Sequence, residues 1–201
     1  MKTVLLLSGG LDSGSLLFWA KAKKFQIFPL FVNYGQPSYH GEWLAVKNLL
    51  KSLDLPPIRP VNVSSIGQLG YDALKKERLH IETQYYPSRN TLLLTLASIL
   101  AYKNGANNIL IGLVKDTAQV FADCSEQYVQ KINFLLKLEH PKMEVRAPFI
   151  TISKLDAVKE SLDFGFNPSV TFCCNRFSDH HCWSCPSCAD RLKILSELKM
   201  I

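Results

Sequence analysis

Ser8-Gly9-Gly10-Leu11-Asp12-Ser13 stands between the apolar run Thr3-Val4-Leu5-Leu6-Leu7 and the run Leu16-Leu17-Phe18-Trp19-Ala20. The first run has the length of a strand, and the second reads as a helix with a buried face. A strand that turns through Gly-Gly into a helix is suited to hold phosphate. The glycines let backbone N–H groups approach phosphate oxygens. The helix N-terminus adds a partial positive charge. Ser8 and Ser13 offer hydroxyl donors, and Asp12 could hold a magnesium ion that bridges phosphates. The spacing is neither G-x-x-x-x-G-K-[ST] nor G-x-G-x-x-G. The bland alternative is a Gly-Gly turn capped by Asp12 or Ser13.

The stretch resembles the SGGxDS signature of the PP-loop ATP pyrophosphatases, whose members adenylate a substrate oxygen and release pyrophosphate. Bulk properties agree with such an enzyme. The 201 residues suffice for one sizeable domain with a small appendage. A net charge of +6 suits an anionic ligand such as ATP. No Lys/Arg run reads as a nucleic-acid arm; Lys21, Lys23 and Lys24 sit where cations favour the end of the first helix. No apolar stretch reaches the ~20 residues of a membrane helix. Met1-Lys2-Thr3 leads into only a short apolar run, unlike a signal peptide, so a cytoplasmic location is expected. Six cysteines in such a compartment point to metal ligands or reactive thiols before disulfides.

Strand and helix signals then alternate. Residues 25–32 read as a second buried strand that ends in the turn Asn33-Tyr34-Gly35-Gln36-Pro37. Residues 40–53 read as a helix with Leu44, Leu49, Leu50 and Leu53 on its apolar side, and residues 59–63 as a third strand. Residues 64–87 read as a long loop with a helical piece at 72–78, a candidate lid. Ser88-Arg89-Asn90 opens a helix over 91–103. Its Leu92, Leu93, Leu94, Leu96, Ile99 and Leu100 cover most of the circumference, which predicts a central buried helix. Arg89 at its mouth could meet a phosphate, or the segment could serve only as a cap. Residues 108–113 form the next strand. The alternation predicts an α/β fold with a doubly wound parallel sheet. Ligands then gather beyond the strand carboxyl ends, where residues 8–13, the 33–36 turn and the segment from Gly112 would line one crevice. Lys115, Asp116 and Asp123 are the polar candidates on the substrate side. Cys124 reads as a buried or helix-start thiol. Residues 125–138 read as a helix with Tyr128, Ile132, Leu135 and Leu136 inward. Residues 145–149 read as a short edge piece, and Ser153 as the cap of a helix that ends before Gly165.

The tail carries Cys173-Cys174 and then Cys182-Trp183-Ser184-Cys185-Pro186-Ser187-Cys188. C-x-x-C-x-x-C lets three thiolates wrap one cation in a tight turn, and Cys174 is placed to be the fourth ligand. Four thiolates suit structural zinc, and an iron–sulfur cluster is the rival. Cys173, His180 and His181 are alternative ligands. A final helix over 189–200 would dock through Leu192, Ile194, Leu195 and Leu198. The expected division is a PP-loop domain over 1–168 and a zinc-binding tail with its helix over 169–201.

An SGGxDS loop combined with a tail of the form T-x-x-C…C-x-x-C-x-x-C-x-x-R resembles the 7-cyano-7-deazaguanine synthase family of queuosine biosynthesis, nearly end to end. Asn33-Tyr34-Gly35-Gln36 resembles its D-Y-G-Q turn, and Pro87-Ser88-Arg89-Asn90 its P-x-R-N. Ile111-Gly112 and Ala122-Asp123-Cys124 resemble its I-G and P-D-C segments, and Lys154 falls on its L-T-K helix start. The resemblance implies that ATP activates the carboxylate of 7-carboxy-7-deazaguanine and that ammonia completes the amide and then the nitrile. It implies ATP contacts from Ser8, Gly9, Gly10, Leu11, Asp12, Ser13, Asn33, Tyr34, Arg89 and Gly112, with Asp12 and Arg89 catalytic; Lys115, from its place on the substrate side, is the third catalytic candidate. Gln36, Asp116 and Asp123 would touch the acid. Mg²⁺ would accompany ATP, and Cys174, Cys182, Cys185 and Cys188 would hold structural Zn²⁺. A homodimer is implied too, with no membrane or nucleic-acid partner.

The departures fall on the substrate side. The family's G-x-N-x-x-D is Gly112-Leu113-Val114-Lys115-Asp116-Thr117 here. Its basic pair after the turn is Pro37-Ser38, and its aromatic after the first tail cysteine is Asn175. Two alternatives follow. One is a paralogue of the antiviral (CBASS-type) operons that joins a deazaguanine carboxylate to a protein amine. The other is a PP-loop tRNA-modifying enzyme, for which this length leaves little room for an RNA-binding domain.

Overall fold

In the computed structural model, which describes residues 1–70, 86–176 and 179–201, β1 (Lys2–Leu6) passes through the 8–10 turn into α1 (Leu11–Ala22). The chain continues with β2 (Gln26–Leu30), β3 (Val32–Asn33), α2 (Tyr39–Ser52), β4 (Val61–Asn62) and the single turn α3 (Gly67–Gly70). After residue 86 come α4 (Arg89–Asn104), β5 (Asn108–Leu110), α5 (Lys115–Ala118), α6 (Glu126–Glu139), β6 (Glu144–Arg146), α7 (Lys154–Leu162) and α8 (Pro186–Glu197). The helical piece expected at 72–78, and with it most of the candidate lid, lies outside the described residues.

The chain divides into two compact units. The first comprises Met1–Leu7, Asp12–Leu30 and Ser88–Asn167, and the second Ser8–Leu11, Phe31–Pro87 and Pro168–Ile201. The first unit holds an all-parallel sheet in the order β2-β1-β5-β6. Lys2 pairs with Gln26 and Leu6 with Leu30, while Thr3 pairs with Asn108 and Asn108 with Glu144. Val4, Leu5 and Ile109 are fully enclosed, as expected of strands covered on both faces. The order reverses across β1, so the carboxyl ends of β1 and β5 flank a topological switch point. This is the α/β parallel-sheet class read from the sequence.

Several details differ from expectation. The run 25–32 is two strands, because the chain leaves the first sheet after Leu30 and pairs Val32 with Val61 in a separate two-stranded sheet of the second unit. β2 is an edge strand, half-buried through Ile27, Phe28 and Pro29, and an edge is where a strand tolerates proline. α4 is not buried all round. Leu94, Ala97, Ser98 and Ala101 face the sheet, but Ile99 and Tyr102 are 61% and 72% exposed. The helix packs one face on β1 and β5, and the remaining leucines outnumber the positions that face can cover. Leu44, Leu135 and Leu192 likewise point outward, where inward positions were expected.

At the far edge, the Asn133 side chain takes the place of a neighbouring strand for β6. Its Nδ2 donates to Val145 O at 2.8 Å, and its Oδ1 accepts from the Val145 N–H at 2.7 Å. In the second unit, Phe31 stacks on Trp43 with ring centroids 5.3 Å apart, and Val46 and Leu49 of α2 are fully enclosed. A second nucleus joins Ala45 and Phe172 to Cys174, Cys185 and Cys188. No described helix is long and apolar enough to cross a membrane.

Candidate functional site

Within the first unit, α1 begins at the carboxyl end of β1. A Cβ added to Gly112, just past β5, would stand 3.0 Å from the Asp12 carbonyl carbon and from Ser13 N, so a larger residue there would press on the first turn of α1. The Asp12 carboxylate is partly buried and lies 3.7 Å from Lys154 Nζ. Lys154 opens α7, and its backbone N–H donates to Asp116 Oδ2 at 2.6 Å. Asp116 therefore satisfies an N-terminal amide of α7 and complements its dipole. Lys115 is exposed, and its backbone N–H donates to Ile152 O at 2.9 Å.

Arg89 and Asn90 meet the 3₁₀ turn Ala122–Cys124. Asn90 Nδ2 donates to Asp123 O at 2.9 Å and lies 3.6 Å from Cys124 Sγ. Ser88, just before Arg89, sits in the left-handed region at φ 60, a strained conformation for serine that sets the entry of the chain into α4. Burial, helped by the Asp123 carboxylate, pushes the Cys124 thiol up to about 11 and outweighs the charge of Arg89. Cys124 is buried, as its sequence context implied.

Within the second unit, Gly9 adopts φ +82, and a Cβ there would stand 2.6 Å from Glu42 O. Its carbonyl accepts from the Phe172 N–H at 2.9 Å. The 33–36 turn is held by its own side chains. Asn33 Oδ1 accepts from the Gly35 N–H at 3.1 Å, and Gln36 Oε1 from the Tyr34 N–H at 2.9 Å. Gln36 is buried, and its Nε2 donates to both Val32 O (3.1 Å) and Glu42 Oε2 (2.9 Å). Ser38, of the Pro37-Ser38 pair that follows the turn, donates to Glu42 Oε1 at 2.6 Å. Tyr34 packs edge-on against Tyr86.

The sulfur atoms of Cys174, Cys182, Cys185 and Cys188 all lie within 4.8 Å of one another. α8 starts at Pro186, three residues earlier than its periodicity suggested, so Cys185 caps it and Cys188 lies in its first turn. Cys182 Sγ accepts from the Cys185 N–H at 3.2 Å. Burial raises the Cys182 thiol, but hydrogen bonds from Ser184 and Cys185 prevail and bring it down to about 6. Cys173 turns aside to Ser187 O at 3.4 Å, and burial pushes its thiol up to about 12. His181 stacks on Phe172 with centroids 4.9 Å apart. Arg191 is buried and donates to Thr171 Oγ1 and, at 2.8 Å, to Pro168 O.

Sequence spacing pointed to the four cysteines that the fold brings together, and Asp12 and Gly112, like Arg89 and Asp123, stand close to one another in the structure. Spacing assigned no role to Lys154, Glu42 or Phe172. Lys154 was legible only as a helix start, and Phe172 acts through its backbone N–H, which leaves no mark in residue type.

The family model of the queuosine biosynthesis protein QueC matches residues 2–199. The chain belongs to this family. Among relatives, 7-cyano-7-deazaguanine synthase 1 of Desulfitobacterium hafniense (strain Y51) is 34% identical, covering 96% of this chain and 91% of the relative. The 7-cyano-7-deazaguanine synthase of Campylobacter hominis is 31% identical, covering 96% and 94%. Solved structures share the fold at low identity. A 4-thiouridine synthetase in complex with RNA and bound ATP superposes with a TM-score of 0.58 at 18% identity, covering 99% of this QueC-family chain and 51% of its own. The U34-tRNA thiolase NcsA from Methanococcus maripaludis, with its [4Fe-4S] cluster, gives 0.53 at 19% identity, covering 100% and 67%.

Proposed function

We propose that this chain is an ATP-dependent carbon–nitrogen ligase that converts 7-carboxy-7-deazaguanine and ammonia to 7-cyano-7-deazaguanine. The observation that carries this reading is the match to one family from residue 2 to residue 199, through both the 8–13 loop and the cysteine tail. A carboxylate oxygen of the acid attacks the α-phosphorus of ATP, and the bond to the pyrophosphate breaks. Ammonia then attacks the acyl carbon, AMP leaves, and a proton is released to give the amide. The amide oxygen attacks a second ATP in the same way. Loss of AMP and two N–H protons leaves the nitrile.

The backbone of Gly9, Gly10 and Leu11 and the hydroxyls of Ser8 and Ser13 would cradle phosphate at the start of α1. Lys154 and Arg89 would neutralise charge that develops on the leaving group, a role worth about 10²–10³ in rate for one fixed donor. Asp12 fits Mg²⁺, since a single hard carboxylate beside a phosphate cradle is its usual protein ligand. Bound there, the ion would add charge stabilisation on the pyrophosphate. Asn33 and Tyr34 would shape the ATP side through their turn. Gln36 and Asp116 would act by positioning, because Tyr34, Val32 and Glu42 engage the Gln36 amide and the α7 N-terminus engages Asp116 Oδ2. Lys115 and Asp123 remain for the acid.

The four thiols fit a single zinc ion. A tetrahedron with Zn–S bonds of ~2.3 Å has edges of about 3.8 Å, and Cys182 Sγ and Cys188 Sγ stand 3.9 Å apart. Thiolates on a four-iron cluster sit on different irons and must stand farther apart. With four protein ligands and no open position, an ion held there would be structural. The homodimer would use the exposed Ile99 and Tyr102 of α4 with Phe134 and Leu138 of α6.

The test is mass spectrometry of products from purified protein, Mg-ATP, 7-carboxy-7-deazaguanine and ammonium. Nitrile formed with AMP is the expected result. AMP without nitrile, or no AMP, overturns the proposal.

A further inference from the structure

We infer that Phe172 is a positioning residue for the ATP loop, through which the four-cysteine centre fixes the conformation of Gly9. The inference rests on reading residues 8–13 as that loop. Phe172 stands two residues before Cys174 and is almost fully buried among Cys174, Cys185, Cys188 and Ala45 of α2. Its ring fills a notch in α2, where a Cβ on Gly41 would come 2.6 Å from two ring carbons. On its other side the ring meets His181. The residue before it is also fixed, since Arg191 of α8 donates to Thr171 Oγ1. Phe172 therefore has a clamp on each flank. One is the cysteine centre, and the other is the Arg191–Thr171 contact that closes α8 onto the same segment.

What this clamp holds is the Phe172 N–H, which donates to Gly9 O at 2.9 Å. A peptide unit is planar and trans, so its C=O and N–H point to opposite sides. Fixing the direction of the Gly9 carbonyl therefore fixes that of the Gly10 N–H, one of the amides the loop offers to phosphate. The loop lies close against α2 here, since a Cβ added to Gly9 would stand 2.6 Å from Glu42 O, and the φ of +82 at Gly9 is one that only glycine adopts without strain. Metal bound by the tail and phosphate bound by the loop are then linked through one hydrogen bond. The motif residues Thr171 and Arg191 acquire a purpose beyond the metal itself.

Three forms of the full-length protein test the link: metal-loaded wild type, chelator-treated wild type, and metal-loaded Gly41→Ala, whose new methyl meets the Phe172 ring before any other group. Metal content is measured by elemental analysis, the Phe172 amide by NMR hydrogen exchange, and ATP binding by calorimetry. Gly41→Ala is expected to keep one metal per chain, to exchange the Phe172 amide at least tenfold faster, and to bind ATP at least tenfold more weakly. Its kcat at saturating ATP should fall less than threefold, a split that general destabilisation would not produce. Chelated protein that stays folded should show the same two changes. Should chelation unfold it, Gly41→Ala decides alone. A Gly41→Ala protein with full metal, unaltered Phe172 exchange and unaltered ATP affinity overturns the role of Phe172. Loaded wild-type protein that binds no ATP overturns the reading of the loop instead.

Discussion

Cys124 shows how position decides the chemistry of a side chain. It lies beside Arg89, a setting that by charge alone would favour a thiolate, yet burial and Asp123 push the thiol from 9.0 up to about 11. At pH 8 a thiol of that acidity is ionised to about one part in a thousand, roughly a hundredfold less than an unperturbed one. Iodoacetamide at pH 8 should therefore modify Cys124 at least a hundredfold more slowly in the folded chain than in urea, as read by peptide mass mapping. Comparable rates in the two states would mean that the thiol is activated. The sign for stability follows from the same shift. Between pH 9 and 11 the unfolded chain releases a proton that the folded chain retains, so this group's contribution is complete below 9 and is lost toward 11.

α7 links Asp116 and Asp12 through one residue, Lys154. Asp116 satisfies the Lys154 N–H at the first turn, and Lys154 Nζ lies 3.7 Å from Asp12. Asp116→Ala should cost about 1 kcal/mol, as for a lost cap, and should slow pyrophosphate release about tenfold by loosening the turn that aims Lys154. Lys154→Met should slow release about 10²-fold or more and change stability by less than ~1 kcal/mol, since a partly exposed ion pair contributes little. Thermal melts and a coupled pyrophosphate assay separate the two. A larger rate loss in Asp116→Ala than in Lys154→Met would return Asp116 to the residues that touch the acid. Such distinctions mark the limit of legibility. The 8–13 loop, the parallel sheet and the cysteine spacing could be read because each is encoded in residue type at a fixed interval. That Leu94 faces the sheet while Ile99 faces out could not be read, because both are apolar and only packing on β1 and β5 tells them apart. The split of 25–32 turns on the change of pairing partner after Leu30. The Phe172 contact is made by backbone.

Across the whole molecule, the two units differ in what holds them. The first has a continuous core around β1, with Val4, Leu5, Leu16, Leu17, Leu94 and Ile109 all fully enclosed. The second gathers part of its core around four cysteines, and its strands β3 and β4 are two residues each. Four thiols within 4.8 Å repel one another once ionised, and a cation converts that repulsion into a bond network. For small zinc modules, metal binding is worth about 10–16 kcal/mol, as much as the entire ~5–15 kcal/mol that stabilises a typical domain. Chelation should therefore act on one unit before the other. Amides of residues 168–176 and 179–201 should lose hydrogen-exchange protection on metal removal, while those of β1 and β5 keep theirs, and zinc at one per chain should restore the difference. Two-state loss of all protection at once would mean that the sheet has no stability of its own, and the tail would then be part of a single folding unit rather than a clasp added to one.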